Sequence, residues 1–208
     1  MNEQIENRLI GAGASVVGFA DVTEILDNKI SHLEKAISIG IDRKLNENTI
    51  HILCGLQKQT AGYLKAQGFK YLRIPPDSDR VSGTFISRLY PLFTHKIAAT
   101  CSGIGWIGKN GLLINPVYGP RLSLATVLTD APLRTAQPIE SGRCGDCSLC
   151  VDSCPSKAIT GNTWKRCNPF IELLHQEVCI SYKKKSRPVN GKPNCGLCIN
   201  ICPYGRDR

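Results

Sequence analysis

Nine of the eleven cysteines lie in the last 65 residues of this 208-residue chain, and their spacing is typical of iron–sulfur sites. The stretch CGDCSLCVDSCP contains four of them in the pattern C-x2-C-x2-C-x3-C-P. In bacterial proteins with two 4Fe–4S clusters, the first three cysteines of this pattern bind one cluster and the fourth binds the other. The proline ends the local winding of the chain. We therefore predict two 4Fe–4S clusters.

A second, incomplete copy of the motif follows in PNCGLCINICPYG, residues 193–205. It has three cysteines, and the position of the missing one is occupied by Lys192, which has no sulfur ligand to offer. The crossing rule then assigns Cys144, Cys147, Cys150 and Cys202 to the first cluster, and Cys154, Cys195 and Cys198 to the second. The second cluster lacks one thiolate, which a cysteine between the two motifs must supply.

Two cysteines between the motifs, Cys167 and Cys179, are candidates for that eighth ligand. Residues 168–179 predict a helix with Asn168 as N-cap and Pro169 at its first position. Cys167 would precede this helix and Cys179 would lie near its end. The reach of the chain excludes neither, while a thiolate near a helix N-terminus is favoured, which supports Cys167.

Disulfides and zinc are the alternative uses of so many cysteines. The N-terminus carries acidic residues and is not followed by the apolar segment of a signal peptide, and no apolar run is long enough for a membrane span. We therefore expect a cytoplasmic protein without membrane contact, in which thiols stay reduced. Zinc ribbons also use C-x2-C pairs, but zinc explains neither the triple spacing nor the two Cys-Pro endings.

The formal net charge of +9 suggests an anionic partner such as nucleic acid. Each oxidised cluster with four thiolates adds about −2 to a count made with neutral thiols, so two clusters would leave about +5. The most basic run, Lys183–Lys185 with Arg187, is typical of a solvated surface.

The chain before the cysteine-rich region predicts a layered domain of helices and strands. Predicted strands cover residues 14–22, 37–42 and 71–75, predicted helices cover 23–36, 46–68 and 85–100, and 111–130 predicts two strands around a turn at 118–120. Such alternation favours an α/β (α+β) domain. We assign it residues 1–140, and assign residues 141–208 to a small ferredoxin-like domain that binds both clusters.

A glycine-rich segment, residues 101–121, contains Gly103, Gly105 and Gly108 in the spacing of the dinucleotide-binding fingerprint. A helix-like segment precedes it where that fingerprint requires a strand, so the spacing does not favour nucleotide binding. Glycines at this density indicate instead a backbone that approaches a flat or bulky group.

Residues 95–133, HKIAATCSGIGWIGKNGLLINPVYGPRLSLATVLTDAPL, followed by CGDCSLCVDSCPSKAI at 144–159, resemble epoxyqueuosine reductases. The similarity extends from about residue 93 to 205 and includes the family's short iron–sulfur relatives, which lack the C-terminal extension. In those relatives a Trp-Lys pair precedes a helix that ends in Cys-x-x-Tyr. The matching residues are Trp164, Lys165, Cys179 and Tyr182, so the resemblance favours Cys179 as the eighth ligand, with Cys154, Cys195 and Cys198.

The resemblance implies an oxidoreductase of queuosine biosynthesis, in which a low-potential donor sends electrons through the clusters to an acceptor. The family holds cobalamin and reduces an epoxide on a modified tRNA base. We therefore expect an acceptor near residues 103–121, namely cobalamin, another small molecule or a modified nucleoside, with tRNA as a partner to test. The residues selected as cofactor contacts are Trp106, Lys109, Asn110 and Tyr118.

The proton donor expected by the resemblance is an acidic residue shortly before the glycine-rich segment. Residues 84–100 contain neither Asp nor Glu, so His95 is the candidate, against the alternative that it is a packing or hydrogen-bonding residue. The same motifs are compatible with two other functions. The protein could be a non-catalytic ferredoxin-like electron carrier or an activator that reduces the corrinoid of another protein.

Overall fold

The computed structural model describes residues 1–43, 46–76, 93–167, 172–185 and 195–205. The chain divides into two compact units, the first formed by residues 1–105 and 122–139, the second by 106–121 and 140–208. This division differs from a boundary at residue 140, because residues 106–121 group with the cysteine-rich region. Within the described ranges, no helix combines the length and the apolar character needed to cross a bilayer.

The first unit is built on a four-stranded antiparallel sheet. Its strands are β1 (Val16–Asp21), β2 (Lys35–Asp42), β3 (Tyr71–Ile74) and β6 (Leu122–Thr129). They lie in the order β1-β2-β6-β3. The register aligns Phe19 with Ile37 and Ile37 with Val127. The three strands predicted before residue 76 are confirmed.

Helices cover both faces of this sheet. Helix α1 (Asn2–Gly11) and helix α2 (Glu47–Ala66) share one hydrophobic core with Ile37, Ile39 and Ile41 of β2. Helix α3 (His95–Cys101) shares a second core with Ala36 and Leu128. Because successive side chains of a strand point to opposite faces, both faces of β2 are buried, which explains its nearly continuous apolar sequence.

Helix α2 forms where the sequence predicts it. The Asn46 side chain caps its start by accepting a hydrogen bond of 2.9 Å from the backbone N–H of Thr49. At its end, Gly68 has a φ of +83°, and the N–H groups of Gly68 and Phe69 donate to the carbonyls of Lys65 and Leu64. This arrangement is a Schellman motif, which requires the left-handed conformation that glycine adopts without strain.

The helix predicted over residues 23–36 is wrong. The structure has a single 3-10 turn, Thr23–Ile25, followed by turns that lead into β2. The Asp21 carboxylate accepts hydrogen bonds from the backbone N–H and the hydroxyl of Thr23, which holds the chain in a turn. Ile30 and Leu33 lie in these turns and are buried.

Two further predictions concern residues 85–130. Of the helix predicted over residues 85–100, the described part is α3, and residues 77–92 lie outside the described residues. The strands predicted on either side of residues 118–120 both form, but they do not pair with each other. β5 (Leu113–Ile114) pairs with β4 (Trp106–Ile107) in a two-stranded sheet, whereas β6 belongs to the four-stranded sheet.

The described part of the second unit contains the short helices α4 (Leu149–Asp152), α5 (Gln176–Lys185) and α6 (Leu197–Asn200). Backbone bridges join Ser141 to Lys165 and Ile159 to Leu174. Trp164 is buried in this unit, and its carbonyl accepts a hydrogen bond from Gly142 N–H.

We expect Gln57→Met to lower the free energy of unfolding by about 2 kcal/mol, because buried carbonyls that lose their donor are costly. The buried Gln57 Nε2 donates to the carbonyls of Ile74, at 2.6 Å, and Thr126, at 2.7 Å, and so joins α2 to two strands. Urea denaturation followed by far-ultraviolet circular dichroism measures the change. Gln59→Met, the same substitution at an exposed position of α2, is the control; equal stabilities of the two variants would contradict the prediction.

Candidate metal centres

Two single-turn helices place one cysteine of each motif. Cys150 lies on α4 and Cys198 lies on α6, and each helix is preceded by a tight turn of the chain. Before α6, Gly196 has a φ of +65° and its carbonyl accepts the N–H of Ile199 and of Asn200. Before α4, Cys147 N–H donates to the carbonyl of Cys144 at 3.1 Å. The C-x2-C spacing therefore folds into tight turns and single-turn helices in both motifs.

Eight cysteines line two cavities of the second unit. The first cavity is lined by Cys144, Cys147, Cys150 and Cys202. The second is lined by Cys154, Cys179, Cys195 and Cys198. These sets coincide with the two ligand sets that the motif spacing and the family resemblance predict, including the exchange of Cys154 and Cys202 between motifs. The structure thus brings all eight predicted ligands together in two groups of four.

Cys167, the other candidate for the eighth ligand, is exposed and lines neither cavity. Helix α5 begins at Gln176, so Cys179 occupies its first turn and donates its N–H to the carbonyl of His175 at 3.1 Å. The helix start that the sequence placed after Cys167, at 168–171, lies outside the described residues. The helix predicted over 168–179 is therefore wrong for residues 173–175, and Cys179 lies in the first turn of α5 and not near the end of a helix.

The pKa values of two buried thiols reflect the crowding of the cysteines. Burial, together with the nearby Cys144, Cys198, Cys147 and Cys202, raises the pKa of Cys150 to about 11. Burial also raises the pKa of Cys198; Lys183 opposes this effect, and the other three cysteines of the second cavity reinforce it. Four crowded thiols can all lose their protons only beside a compensating positive charge, which the iron of a cluster provides.

The pKa of Cys154, by contrast, is lowered. Burial would raise its pKa, but hydrogen bonds from the Ser156 side chain and from the backbone N–H groups of Ala158, Ile159 and Ser156 together hold the pKa below its usual value. The sulfur lies 3.5 Å from the Ser156 hydroxyl oxygen. Donors directed at a sulfur stabilise a thiolate ligand, so the hydrogen bonds of this loop favour the thiolate form of Cys154.

The chemistry of each cavity fits a 4Fe–4S cluster. Four thiolates are the ligand set that such a cluster requires, and soft sulfur ligands favour iron–sulfur centres over hard cations. The rest of the first cavity is lined mainly by apolar and backbone groups, among them Ile114, Leu149 and Pro203. Within the described ranges, no group of three or more His, Cys, Asp or Glu side chains is placed to hold a single metal ion.

Lys109 and Asn110, selected from the sequence as cofactor contacts, lie at the cluster cavities. Lys109 Nζ donates to the carbonyl of Gly145 at 2.9 Å and to that of Cys147 at 3.1 Å. Asn110 is 5% exposed, donates from Nδ2 to the carbonyl of Cys198 at 3.2 Å and accepts the N–H of Leu112. Asn110 lines both cavities. The turn between β4 and β5 thus contacts the loops of both predicted clusters.

Trp106 and Tyr118, the other two selected residues, occupy different environments. Trp106 is 2% exposed, its ring meets that of Tyr204 edge-on at 5.0 Å, and its indole N–H has no hydrogen-bond partner among the described residues. Tyr118 is half-buried in a turn where the Asn115 side chain accepts the N–H groups of Val117 and Tyr118.

Glycines of the glycine-rich segment allow close approach of another stretch of backbone. Gly119 has a φ of +59°, and a Cβ atom there would lie 2.0 Å from the carbonyl oxygen of Tyr204. Gly205 has a φ of +74°, and its Cβ would lie 2.6 Å from the carbonyl carbon of Tyr118. Arg121 also donates a hydrogen bond to the carbonyl of Gly205. The bulky group that the glycine density predicted is, at this position, the backbone that follows Cys202.

His95 is buried in the first unit and both of its ring nitrogens are engaged. Nε2 lies 2.8 Å from the carbonyl oxygen of Pro75, and Nδ1 lies 2.8 Å from the hydroxyl of Thr126. Because a carbonyl can only accept, Nε2 carries a proton and donates it in this contact. The geometry is that of the alternative role, a histidine that joins α3 to the sheet.

Comparison with known proteins agrees with this geometry. Residues 143–205 match the family model of the 4Fe-4S double cluster binding domain. The chain is 32% identical over 118 residues to the epoxyqueuosine reductase of Lactococcus garvieae, an alignment that covers 52% of this chain and 31% of that protein. The predicted C-terminal two-cluster domain and the resemblance to epoxyqueuosine reductases are confirmed. The chain matches less than half the length of such relatives.

Solved structures share the fold over nearly the whole chain. An epoxyqueuosine reductase crystallised with a tRNA-Tyr epoxyqueuosine-modified stem loop has a TM-score of 0.69 and 16% identity, covering 99% of this chain and 65% of that one. A reductive dehalogenase described in terms of B12-dependent dehalogenation also has a TM-score of 0.69, with 17% identity, covering 98% of this chain and 31% of that one. At these identities the likeness establishes the fold alone.

We expect Cys179→Ser to remove the second cluster and leave the first, because it deletes one thiol of the second cavity. The measurement is iron and sulfide per chain after anaerobic reconstitution, which should fall from about eight iron atoms to about four. Cys167→Ser is the matched control and should keep the full content. Loss of iron from the Cys167 variant, with full iron in the Cys179 variant, would show that the eighth ligand is misassigned.

We expect Gly119→Ala to accelerate loss of iron to a chelator, because the new methyl group collides with the Tyr204 carbonyl and displaces the chain after Cys202. The left-handed conformation adds about 1–2 kcal/mol for a non-glycine residue. Gly68→Ala controls for that cost, since Gly68 also has a positive φ but its Cβ would meet nothing within 4 Å. Equal iron-release rates for the two variants would rule out the collision as the cause.

Proposed function

We propose that this chain is an iron–sulfur oxidoreductase resembling epoxyqueuosine reductase, which passes electrons through two 4Fe–4S clusters to an acceptor. One observation carries the proposal: two cavities are each lined by the four cysteines assigned to one cluster. When bound, such clusters supply one-electron transfer at potentials that reach very low values. The family match over residues 143–205 supports the same assignment.

The protein's own residues would hold, orient and shield these clusters. The hydrogen bonds of its loop lower the pKa of Cys154 and so favour its thiolate, and the Lys109 ammonium fixes the carbonyls of the loop that contains Cys147. Apolar side chains limit water, with Leu112 and Ile159 lining the second cavity. Because Asn110 lines both cavities, the two clusters would share a neighbouring side chain, which suits electron transfer between them.

Cobalamin is the acceptor that we propose to test first. Support comes from the likeness to epoxyqueuosine reductases and to a structure described in terms of B12-dependent dehalogenation. The contacts of Lys109 and Asn110 do not fit a direct role in holding a corrinoid, since both side chains bond to cluster loops. Trp106, whose indole N–H lacks a partner among the described residues, and Tyr118 stay the candidates for that role.

A modified tRNA nucleoside is the substrate class that the comparisons favour, because a structural relative was crystallised with an epoxyqueuosine-modified stem loop. The net charge of +9 is compatible with an RNA partner. A low-potential protein or flavin donor would supply the electrons. The rival functions, a ferredoxin-like carrier and a corrinoid-reducing activator, use the same clusters and differ in the acceptor.

One anaerobic preparation separates these functions. The reconstituted chain is analysed for iron and sulfide, then mixed with cobalamin, and the bound cobalt is measured after gel filtration. About eight iron atoms per chain, with cobalt retained and cobalamin reduced on adding dithionite-reduced flavin, is the expected result. Full iron without retained cobalt would favour the carrier, and fast cobalamin reduction without retention would favour the activator. About four iron atoms, or zinc, would refute the proposed function.

A further inference from the structure

Each cluster cavity is lined by one lysine besides its cysteines. Of the described residues that line the first cavity, Lys109 is the one with a positively charged side chain. Lys183 is the corresponding residue of the second cavity. The two lysines are held differently. Lys109 Nζ donates to two backbone carbonyls of the loop between Cys144 and Ser148, whereas Lys183 lies on α5, a helix with no buried residue.

We propose that Lys109 is a positioning residue that raises the reduction potential of the first cluster and so makes it the preferred location of a transferred electron. The inference rests on the proposed function, since it requires a cluster in each cavity. It assigns to Lys109 a task that differs from ligand binding, the setting of the energy difference between the two centres.

The physical reason is charge. Reduction adds one electron from the donor to a cluster that is already anionic with four thiolates, and a nearby ammonium group stabilises the more negative form. The effect is strong where the cation is fixed and partly shielded from water, as for Lys109, which is half-buried and bonded to the loop that carries two of the ligands. The exposed Asp146 lies in the same loop but does not line the cavity, so solvent screens its opposing charge.

Lys183 is expected to have a weaker effect on the second cluster. It lines that cavity and is half-buried like Lys109, but its ammonium group makes no hydrogen bond to the described residues, so it is not fixed beside the cluster and water can screen its charge. Asn110 lines both cavities and carries no charge, so it does not favour either cluster. The two potentials should therefore separate, with the first cluster the more easily reduced.

The test is an anaerobic redox titration of the reconstituted chain with dithionite, followed by electron paramagnetic resonance. The Cys179→Ser variant, which keeps the first cluster alone, identifies the transition that belongs to this cluster. We expect Lys109→Met to shift that transition to a more negative potential by at least the equivalent of a tenfold change in the reduction equilibrium, about 59 mV for one electron. Lys109→Arg, which keeps the charge, should restore the original potential.

Two controls make the result specific. Lys184→Met removes an exposed lysine that lines neither cavity and should shift neither transition. Lys183→Met should shift the second transition alone, and by less. If the methionine variant of Lys109 loses iron, Lys109→Gln, which is neutral but can still donate a hydrogen bond, takes its place in the titration.

The outcomes separate this inference from the proposed function. A wild-type chain that fails to assemble two clusters refutes the proposed function. Two assembled clusters whose potentials do not respond to Lys109→Met, or respond equally to Lys109→Met and Lys109→Arg, refute the electrostatic role of Lys109 and leave the clusters in place.

Discussion

The need to surround each of two cavities with four thiols is the constraint on which the second unit depends. A cluster fixes its ligands in three dimensions, and the eight cysteines come from stretches that are separated along the chain. Short helices, tight turns and left-handed glycines are the local solutions, because they turn the backbone within two or three residues. The β4–β5 hairpin then closes the arrangement by bonding through Lys109 and Asn110 to a cysteine loop of each motif.

This dependence explains why residues 106–121, the larger part of the glycine-rich segment, belong to the cluster unit. Its side chains bond to the cluster loops, and its backbone crosses the chain after Cys202 at a distance that only glycine permits on both sides, at Gly119 and Gly205. The first unit, by contrast, is stabilised by apolar packing and hydrogen bonds. Two apolar cores on the faces of an antiparallel sheet, a capped helix and a buried glutamine that joins helix to strands account for its architecture.

Much of this could be predicted from sequence because the relevant signals are local. The spacing of the motif cysteines encodes the ligand exchange between clusters, and the cap at Asn46 and the glycine at 68 mark the limits of α2. The turns at residues 23–34 were missed because Ile30 and Leu33 are apolar at helical spacing, while the deciding contact is the Asp21 carboxylate bonding back to Thr23. Helix α1 was not predicted either, because its apolar face is short. Its role is evident from the structure, in which Ile5 and Leu9 belong to the first hydrophobic core.

The roles of Lys109 and Asn110 could not be read from sequence, because their partners are backbone carbonyls about 36 to 88 positions away.

The exchange of cysteines between the motifs has one more consequence, for synthesis on the ribosome. The first cavity receives its last thiol from Cys202 and the second from Cys198, so neither is complete until the second cysteine motif has been synthesised. Iron delivery should therefore follow the synthesis of this motif, and the nascent polypeptide must keep its early thiols reduced until the late ones arrive.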